Sequence, residues 1–519
     1  MTNGIRRTSL GLALLGGLVV IAAACGDDEV DPTPTSTSTG TGAAGGNGGG
    51  GTGGTGGGNG GGGNGGNGGN GGGGAGGGGA GFPAPVVAGT PETDALADAP
   101  ARCGQQEHAW RKDLELGQIT AHESAGSYPK ALLEALLGST LANLPIELQY
   151  DVATHLVTYV TQDRGQEVEA TTLIAWPANV PAGTEALPTL LLLHGTSGFT
   201  DGCGPTAEAS EGAVAAALAS AGFVVVAPDY IGLKSTPPPT GFLHPYLVGQ
   251  ATAIASLDAV RALGHLPAEI VVGGGQPSPR VAILGGSQGG HAALWVDRLA
   301  PYYARELTLV GVAATVPPAD LLGEGDLALT TLRPSTGNMV AFFGASAGWY
   351  GAEGNLAEVF LPPLDLDVPA ALGASCDPGD IVQGATALDD IFQPEILAAA
   401  ANDTLTGLDP WGCMAMENGL TSTSVARIPQ QDASYGILFV TGEADALVDT
   451  PTERVAYQTL CGAGMPLQYL ECTAASHTEA TTWALPEILT FLKARLAGEA
   501  FAPSCDVGAA ISCAGTPPP

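Results

Sequence analysis

RVAILGGSQGGHAALWVDRLA, residues 280–300, is the stretch that decides how this chain folds. Residues 281–284 form an apolar run fit for a buried strand. A glycine-dense turn follows, and then a helical run without breakers. Within the turn, Gly285-Gly286-Ser287-Gln288-Gly289 fits G-x-S-x-G. A serine on a sharp strand-to-helix turn is held in strained geometry, and its neighbours must be small so that strand and helix can approach. The new helix begins beneath the hydroxyl, and its first backbone N–H, that of Gln288, is offered to a developing oxyanion. The motif alone is weak, because glycine makes up 80 of 519 residues. Gly344-Ala345-Ser346-Ala347-Gly348 matches it too, also after an apolar run, but Trp349-Tyr350-Gly351 and Gly354 follow, a poor start for a helix. Context selects Ser287 as the nucleophile.

Strands and helices alternate on both sides of this stretch. Residues 148–162 and 167–176 alternate apolar and polar about Asp163-Arg164-Gly165, the pattern of a β-hairpin. Residues 187–193 read as a strand buried on both faces, ending at His194-Gly195-Thr196-Ser197-Gly198. Then come a helix over 207–220, a strand over 223–227 ending in Pro228-Asp229-Tyr230, a helix over 250–263, the elbow strand and helix, and a strand over 307–316. This spacing predicts an α/β fold, a mostly parallel sheet with helices on both faces and ligands beyond the carboxyl ends of the strands. Residues 317–431 break the alternation and are too long for a structureless loop, so a largely helical cap insertion is expected there. Strands at 436–441 and 467–472 and a last helix over 480–496 close the core. The expected organisation is a signal peptide (1–24), a disordered tether (25–81), an N-terminal extension (82–147) with helical pieces at 105–116 and 129–137, core (148–316), cap (317–431), core (432–497) and a cysteine-containing tail (498–519).

A serine nucleophile needs a base, and the base a carboxylate to orient it. In this arrangement both follow the serine in the chain. Asp445 falls just beyond the strand ending at Thr441, where the acid belongs. Asp449 reads as a helix cap, with Glu443 and an acid near Asp320 as lesser alternatives. His477, between the last strand and the last helix, is the candidate base; His291 lies in the elbow helix and reads as packing. The loop after the third strand should supply a second oxyanion donor, the N–H of Thr196, while His194 reads as structural within that loop.

HGTSG at 194–198, PDYIGL at 228–233, LDAVR at 257–261, GGSQGG at 285–290 and the G-x-x-D ahead of a late histidine together resemble the secretory lipase group of α/β-hydrolases. The resemblance spans roughly residues 149–497. It implies an α/β-hydrolase fold with a cap after the sixth strand, acting on carboxylic esters without metal or organic cofactor. An exported peptidase of the same fold is the near alternative, with acids such as Glu353 and Glu358 to receive a peptide's N-terminus. A non-catalytic surface lipoprotein is a further one, disfavoured by the intact Ser, Asp and His positions.

The termini speak to location. Arg6 and Arg7 precede an apolar run over 10–24 that ends in small residues, as in a secretory signal. The run is shorter than the roughly 20 residues a membrane span needs. Cys25 directly after it resembles a bacterial lipoprotein lipid-attachment site, although Ala22 stands where leucine is usual; ordinary signal cleavage nearby is the alternative. Gly26, rather than aspartate, then suggests the outer membrane or cell surface. Residues 27–81, acidic and then almost pure glycine, cannot build a core. As a tether they would reach roughly 40 Å.

The net charge of −34, with 17 Lys+Arg, excludes a nucleic-acid partner for want of a basic patch. A small ester or lipid is the expected partner, and a membrane only through the N-terminal anchor. Besides Cys25, eight of the nine cysteines remain, an even number that suggests disulfides in an exported chain. Closeness in sequence suggests Cys461–Cys472 and Cys505–Cys513, leaving Cys376–Cys413 and Cys103–Cys203.

Overall fold

The apolar runs, joined by one exposed edge strand, assemble into a nine-stranded sheet in the order β1-β2-β3-β5-β4-β6-β7-β8-β9. These strands are Ile119–Tyr128, Asp151–Asp163, Gln166–Ala178, Leu187–Leu193, Val224–Pro228, Pro277–Gly286, Thr308–Thr315, Ile437–Gly442 and Leu467–Cys472, numbered β1 to β9 in chain order. The structure, a computed structural model, describes residues 82–271, 275–377, 382 and 384–517, which lie in one contact unit. The expected signal peptide, Cys25 and the expected tether lie outside the described residues.

The β2–β3 hairpin turns on Arg164 and Gly165, both at positive φ (49° and 78°), which matches the twist of the flanking strands. Pairing is antiparallel from β1 through β3 to β5 and parallel from there to β9. The β4–β5 crossover runs through the helix Ala209–Ser220, which packs in one core layer with the helix Leu485–Leu496. The return from β5 to β6 runs through the helix Gly249–Arg261, in the opposite layer with the elbow helix Gln288–Tyr303. Strand order therefore reverses between β4 and β6, and a crevice opens at their carboxyl ends.

Several expectations change. β1 went unread: its residues are almost all exposed or half-exposed, so it has no apolar rhythm, and backbone pairing to β2 holds it. It makes the strand before the cap the seventh. Residues 105–116 form no helix, because Trp110 is drawn into the core and Arg111 N–H donates to Gln162 Oε1 at 2.7 Å. A helix forms instead at Pro91–Asp98, capped by Thr90.

The cap region is helical, with segments Leu321–Thr330, Thr336–Tyr350, Leu364–Leu372, Pro394–Ala401 and Trp411–Asn418. The second G-x-S-x-G lies inside Thr336–Tyr350. There Ser346 is fully buried and donates to the Tyr246 carbonyl at 2.8 Å, so its glycines serve helix packing.

The four disulfides are Cys103–Cys413, Cys203–Cys376, Cys461–Cys505 and Cys472–Cys513, so every pairing expected from closeness in sequence is replaced. The reason is the path of the tail. Ser504 N–H donates to Leu467 O (2.9 Å) and Ile511 N–H to Glu471 O (2.9 Å), so the tail runs alongside β9. Cysteines at its two ends reach across to the start and finish of that strand region rather than along the chain. Cys376 and Cys413, in the cap, likewise reach back to Cys203 and Cys103. Such bridges are those of an exported protein.

Candidate active site

Ser287 stands where β6 meets the elbow helix, with φ 56° and ψ −121°, outside the regions a non-glycine residue ordinarily occupies. Its N–H donates to Thr315 O at 2.9 Å, and its carbonyl accepts from His291 N–H at 3.0 Å, so neighbouring strand and helix hold the strain in place. Glycine is required close by. A Cβ on Gly289 would lie 2.1 Å from Leu193 O, and one on Gly285 would lie 2.0 Å from Gly289 O.

Asp445 lies in the loop after β8. Its Oδ1 accepts the N–H groups of Leu447 (2.9 Å) and Val448 (3.0 Å), and its Oδ2 faces His477 Nδ1 at 2.8 Å. His477 opens the helix His477–Trp483, fixed by a capping box between Ser476 and Glu479. Both side chains of the pair are nearly inaccessible, at 3% and 2% exposure. A carboxylate can only accept, so Nδ1 is the donor, and in the neutral imidazole Nε2 is then the acceptor. Nε2 is buried without a hydrogen-bond partner among the described residues. The serine and histidine elements share one link: Thr315, which accepts from Ser287 N–H, also bonds Thr481 Oγ1 through its hydroxyl at 2.6 Å.

Gln288 N–H is the first of its helix and has no intrahelical acceptor. The Gln288 side chain bonds His244 Nε2 at 2.6 Å. Thr196 is buried, with its hydroxyl 2.8 Å from Tyr246 OH, which also accepts from Asn338 Nδ2 of the cap at 2.9 Å. His194 stacks on Tyr230 at 4.2 Å and bonds Gly195 O; burial lowers its pKa to about 4, so it is neutral loop structure. His291 is buried against Trp295 and Asn418 O. Asp449 caps the helix Thr450–Gly462, Glu443 accepts from Ala474 N–H, and Asp320 caps Leu321–Thr330. Glu353 and Glu358 are exposed and line no part of the cleft.

The cleft over Ser287 has about 540 Å³ of open space. Its walls are largely apolar: Leu321, Ala328, Met339 and Phe342 from the cap, Leu447 and Val448 from the acid loop.

Residues 206–324 match the family described as secretory lipase. Lipase 1 of Candida albicans is 26% identical over 296 residues, 55% of this chain and 57% of that one. Lipase 7 of the same yeast is 37% identical over 102 residues, 19% and 21% of the two chains. The chain thus spans little more than half the length of the first of these relatives. Among solved structures, the rice cell wall degrading esterase LipA from Xanthomonas oryzae superposes with a TM-score of 0.59 at 20% identity, covering 74% of this chain and 99% of that one. Candida antarctica lipase A in its closed state gives 0.57 at 17% identity, covering 83% and 92%. The chain has an α/β-hydrolase fold, and residues 206–324 of it are similar to the secretory lipase family.

One feature of the cleft escaped the sequence reading. Glu324 lines the wall although it is only 7% exposed, and burial pushes its carboxyl up to about 8. Behind it Glu453, wholly buried, is raised well above the ordinary carboxyl range by burial and by Glu324. Two acids, Glu324 and Asp326, in the otherwise apolar run 321–329 were the available signal.

Proposed function

We propose that the chain is an extracytoplasmic serine hydrolase that cleaves carboxylic esters through an acyl-enzyme. Ser287 Oγ attacks the ester carbonyl while His477 Nε2 takes its proton, and Asp445 fixes the imidazole by its bond to Nδ1. The N–H groups of Gln288 and Thr196 receive the tetrahedral oxyanion. The imidazolium then protonates the leaving alcohol, and water releases the acyl group by the same route. The observation that carries this reading is the buried Asp445–His477 bond, with Nε2 left without a hydrogen-bond partner, Ser287 included, among the described residues, while the strained serine lines a cleft that Leu447 and Val448 of the acid loop also line. The apolar cleft wall supports an acyl chain as the bound group. Upstream, Cys25 is proposed as the lipid attachment that holds the enzyme at a bacterial outer membrane or cell surface; it is tested by radiolabelled palmitate incorporation, lost on Cys25→Ser.

The activity test is turnover of p-nitrophenyl esters from acetate to octanoate by wild type and Ser287→Ala, with fluorophosphonate labelling alongside. Activity and labelling that vanish in the variant are expected. Equal inertness of both folded proteins on every chain length, or equal activity, would sink the proposal.

A further inference from the structure

Two carboxyl groups brace the junction of cap and core, Glu324 in the cleft wall and Glu453 behind it. Glu324, in the first turn of the cap helix Leu321–Thr330, accepts Asp449 N–H at 2.8 Å through Oε1. Asp449 ends the loop that carries Asp445. Glu453 lies in the core helix Thr450–Gly462, and its Oε1 accepts the N–H groups of Ala319 (2.9 Å) and Asp320 (3.3 Å), the residues that lead into that same cap helix. The cap's acid thus holds the core's loop, and the core's acid holds the cap's entry. Glu453 Oε2 is buried with no hydrogen-bond partner among the described residues.

The surroundings offer little countercharge. Glu324 is faced by Asp449, Asp445, Arg333 and Glu453, and Glu453 by Glu324 and Asp320. Arg333, the cation among them, is half committed to an ion pair with Asp449 at 3.3 Å. Two carboxylates this poorly solvated do not both ionise near neutrality.

We propose that Glu324 and Glu453 are positioning residues for the ester hydrolysis proposed above, a pair held to at most one negative charge that keeps the loop 442–449, and with it Asp445, against His477. The proposal rests on that reading of the triad. Neither residue touches reacting atoms. With both carboxyls ionised, their repulsion drives apart the two helices they join, and the Glu324–Asp449 bond is strained. Leu447 and Val448, whose N–H groups hold Asp445, move with the loop. The consequence is a reversible loss of turnover at alkaline pH that falls on kcat rather than KM.

The test measures kcat and KM on a short-chain ester by pH-stat titration from pH 6 to 10, with the melting temperature at each pH. Wild type, Glu324→Gln, Glu453→Gln and Glu324→Ala are compared. Wild-type kcat is expected to fall at least tenfold between pH 7 and 9.5 and to recover on return to pH 7. Either glutamine variant, which cannot ionise, shifts the midpoint of that fall upward by at least one pH unit. Glu324→Ala, which leaves Asp449 N–H unpaired, lowers kcat about tenfold across the range. A merely structural role would lower stability at all pH values without moving the midpoint. Absence of an alkaline fall in wild type, or an unmoved midpoint in both glutamine variants, would overturn the proposal. If Ser287→Ala is inert while the midpoint stays put, this proposal fails alone; if Ser287→Ala remains active, the ester mechanism beneath it has failed.

Discussion

Replacing Asp445 by asparagine separates the orienting role of this side chain from its structural one. Asp445 makes three hydrogen bonds: Oδ1 accepts from Leu447 and Val448 N–H, and Oδ2 faces His477 Nδ1. An asparagine has two ways to lie in this site. With its oxygen toward the loop, both loop bonds survive and the amide N–H₂ faces Nδ1, which must then accept. The imidazole proton moves to Nε2, and the lone pair that should take the serine's proton is gone. In the flipped orientation, Nδ1–H keeps an acceptor, but the amide N–H₂ meets two backbone donors. Leaving two half-buried N–H groups unpaired costs up to roughly 2 to 6 kcal/mol in sum. The first orientation wins, so the fold stays intact while the base is held in the wrong tautomer. A loss of about 10⁴ in kcat is expected, about 5 kcal/mol of transition-state stabilisation, with the melting temperature within a few degrees of wild type. The assay is p-nitrophenyl butyrate turnover beside thermal melts, with Asp449→Asn as the control. A kcat for Asp445→Asn within tenfold of wild type at unchanged stability would refute the reasoning, and a larger loss in Asp449→Asn would move the acid to that position.

Gly289→Ala should fail at the fold before it fails at chemistry, because its Cβ would sit 2.1 Å from the Leu193 carbonyl oxygen in β4. A loss of about 3 kcal/mol or more is expected from such overpacking, read from chemical denaturation, and wild-type stability in this variant would contradict the close approach. Glu211 is fully buried in the helix Ala209–Ser220, where burial and the nearby Asp229 raise its pKa from 4.5 to about 8. The folded chain therefore keeps a proton that the unfolded chain releases, and the stability this supplies is complete below about pH 4.5 and lost as pH rises toward 8. Glu211→Gln should flatten the decline of melting temperature between pH 5 and 8.5; parallel curves for the two proteins would show that Glu211 does not titrate as argued.

What could be read in the sequence was what local chemistry dictates. β4 is apolar but for Thr189, so its course was legible, and Ser287, Asp445 and His477 were proposed from their places after strands. The structure brings Asp445 and His477 into contact and puts Ser287 on the floor of the cleft. β1 was illegible because an exposed edge strand held by backbone pairing needs no apolar alternation. The segment 105–116 has helical composition, but tertiary demand on Trp110 outweighed propensity. The helix Pro91–Asp98 did carry its signal, a threonine cap followed by proline, and was overlooked. Disulfide partners and the Glu324–Glu453 junction depend on which distant segments meet, information that spacing along one chain does not hold.

Two of the bridges set how the roof over the cleft can move. Cys376 and Cys413 rivet the cap to Cys203, after β4, and to Cys103, ahead of β1. A flap swinging on its two chain ends is mechanically excluded while those rivets stand. The span from the end of β7 to the first rivet carries both helices that wall the cleft, Leu321–Thr330 and Thr336–Tyr350. In the oxidised protein, any opening over Ser287 is left to those two helices. Reduction would release those two rivets without altering a single residue that lines the cleft.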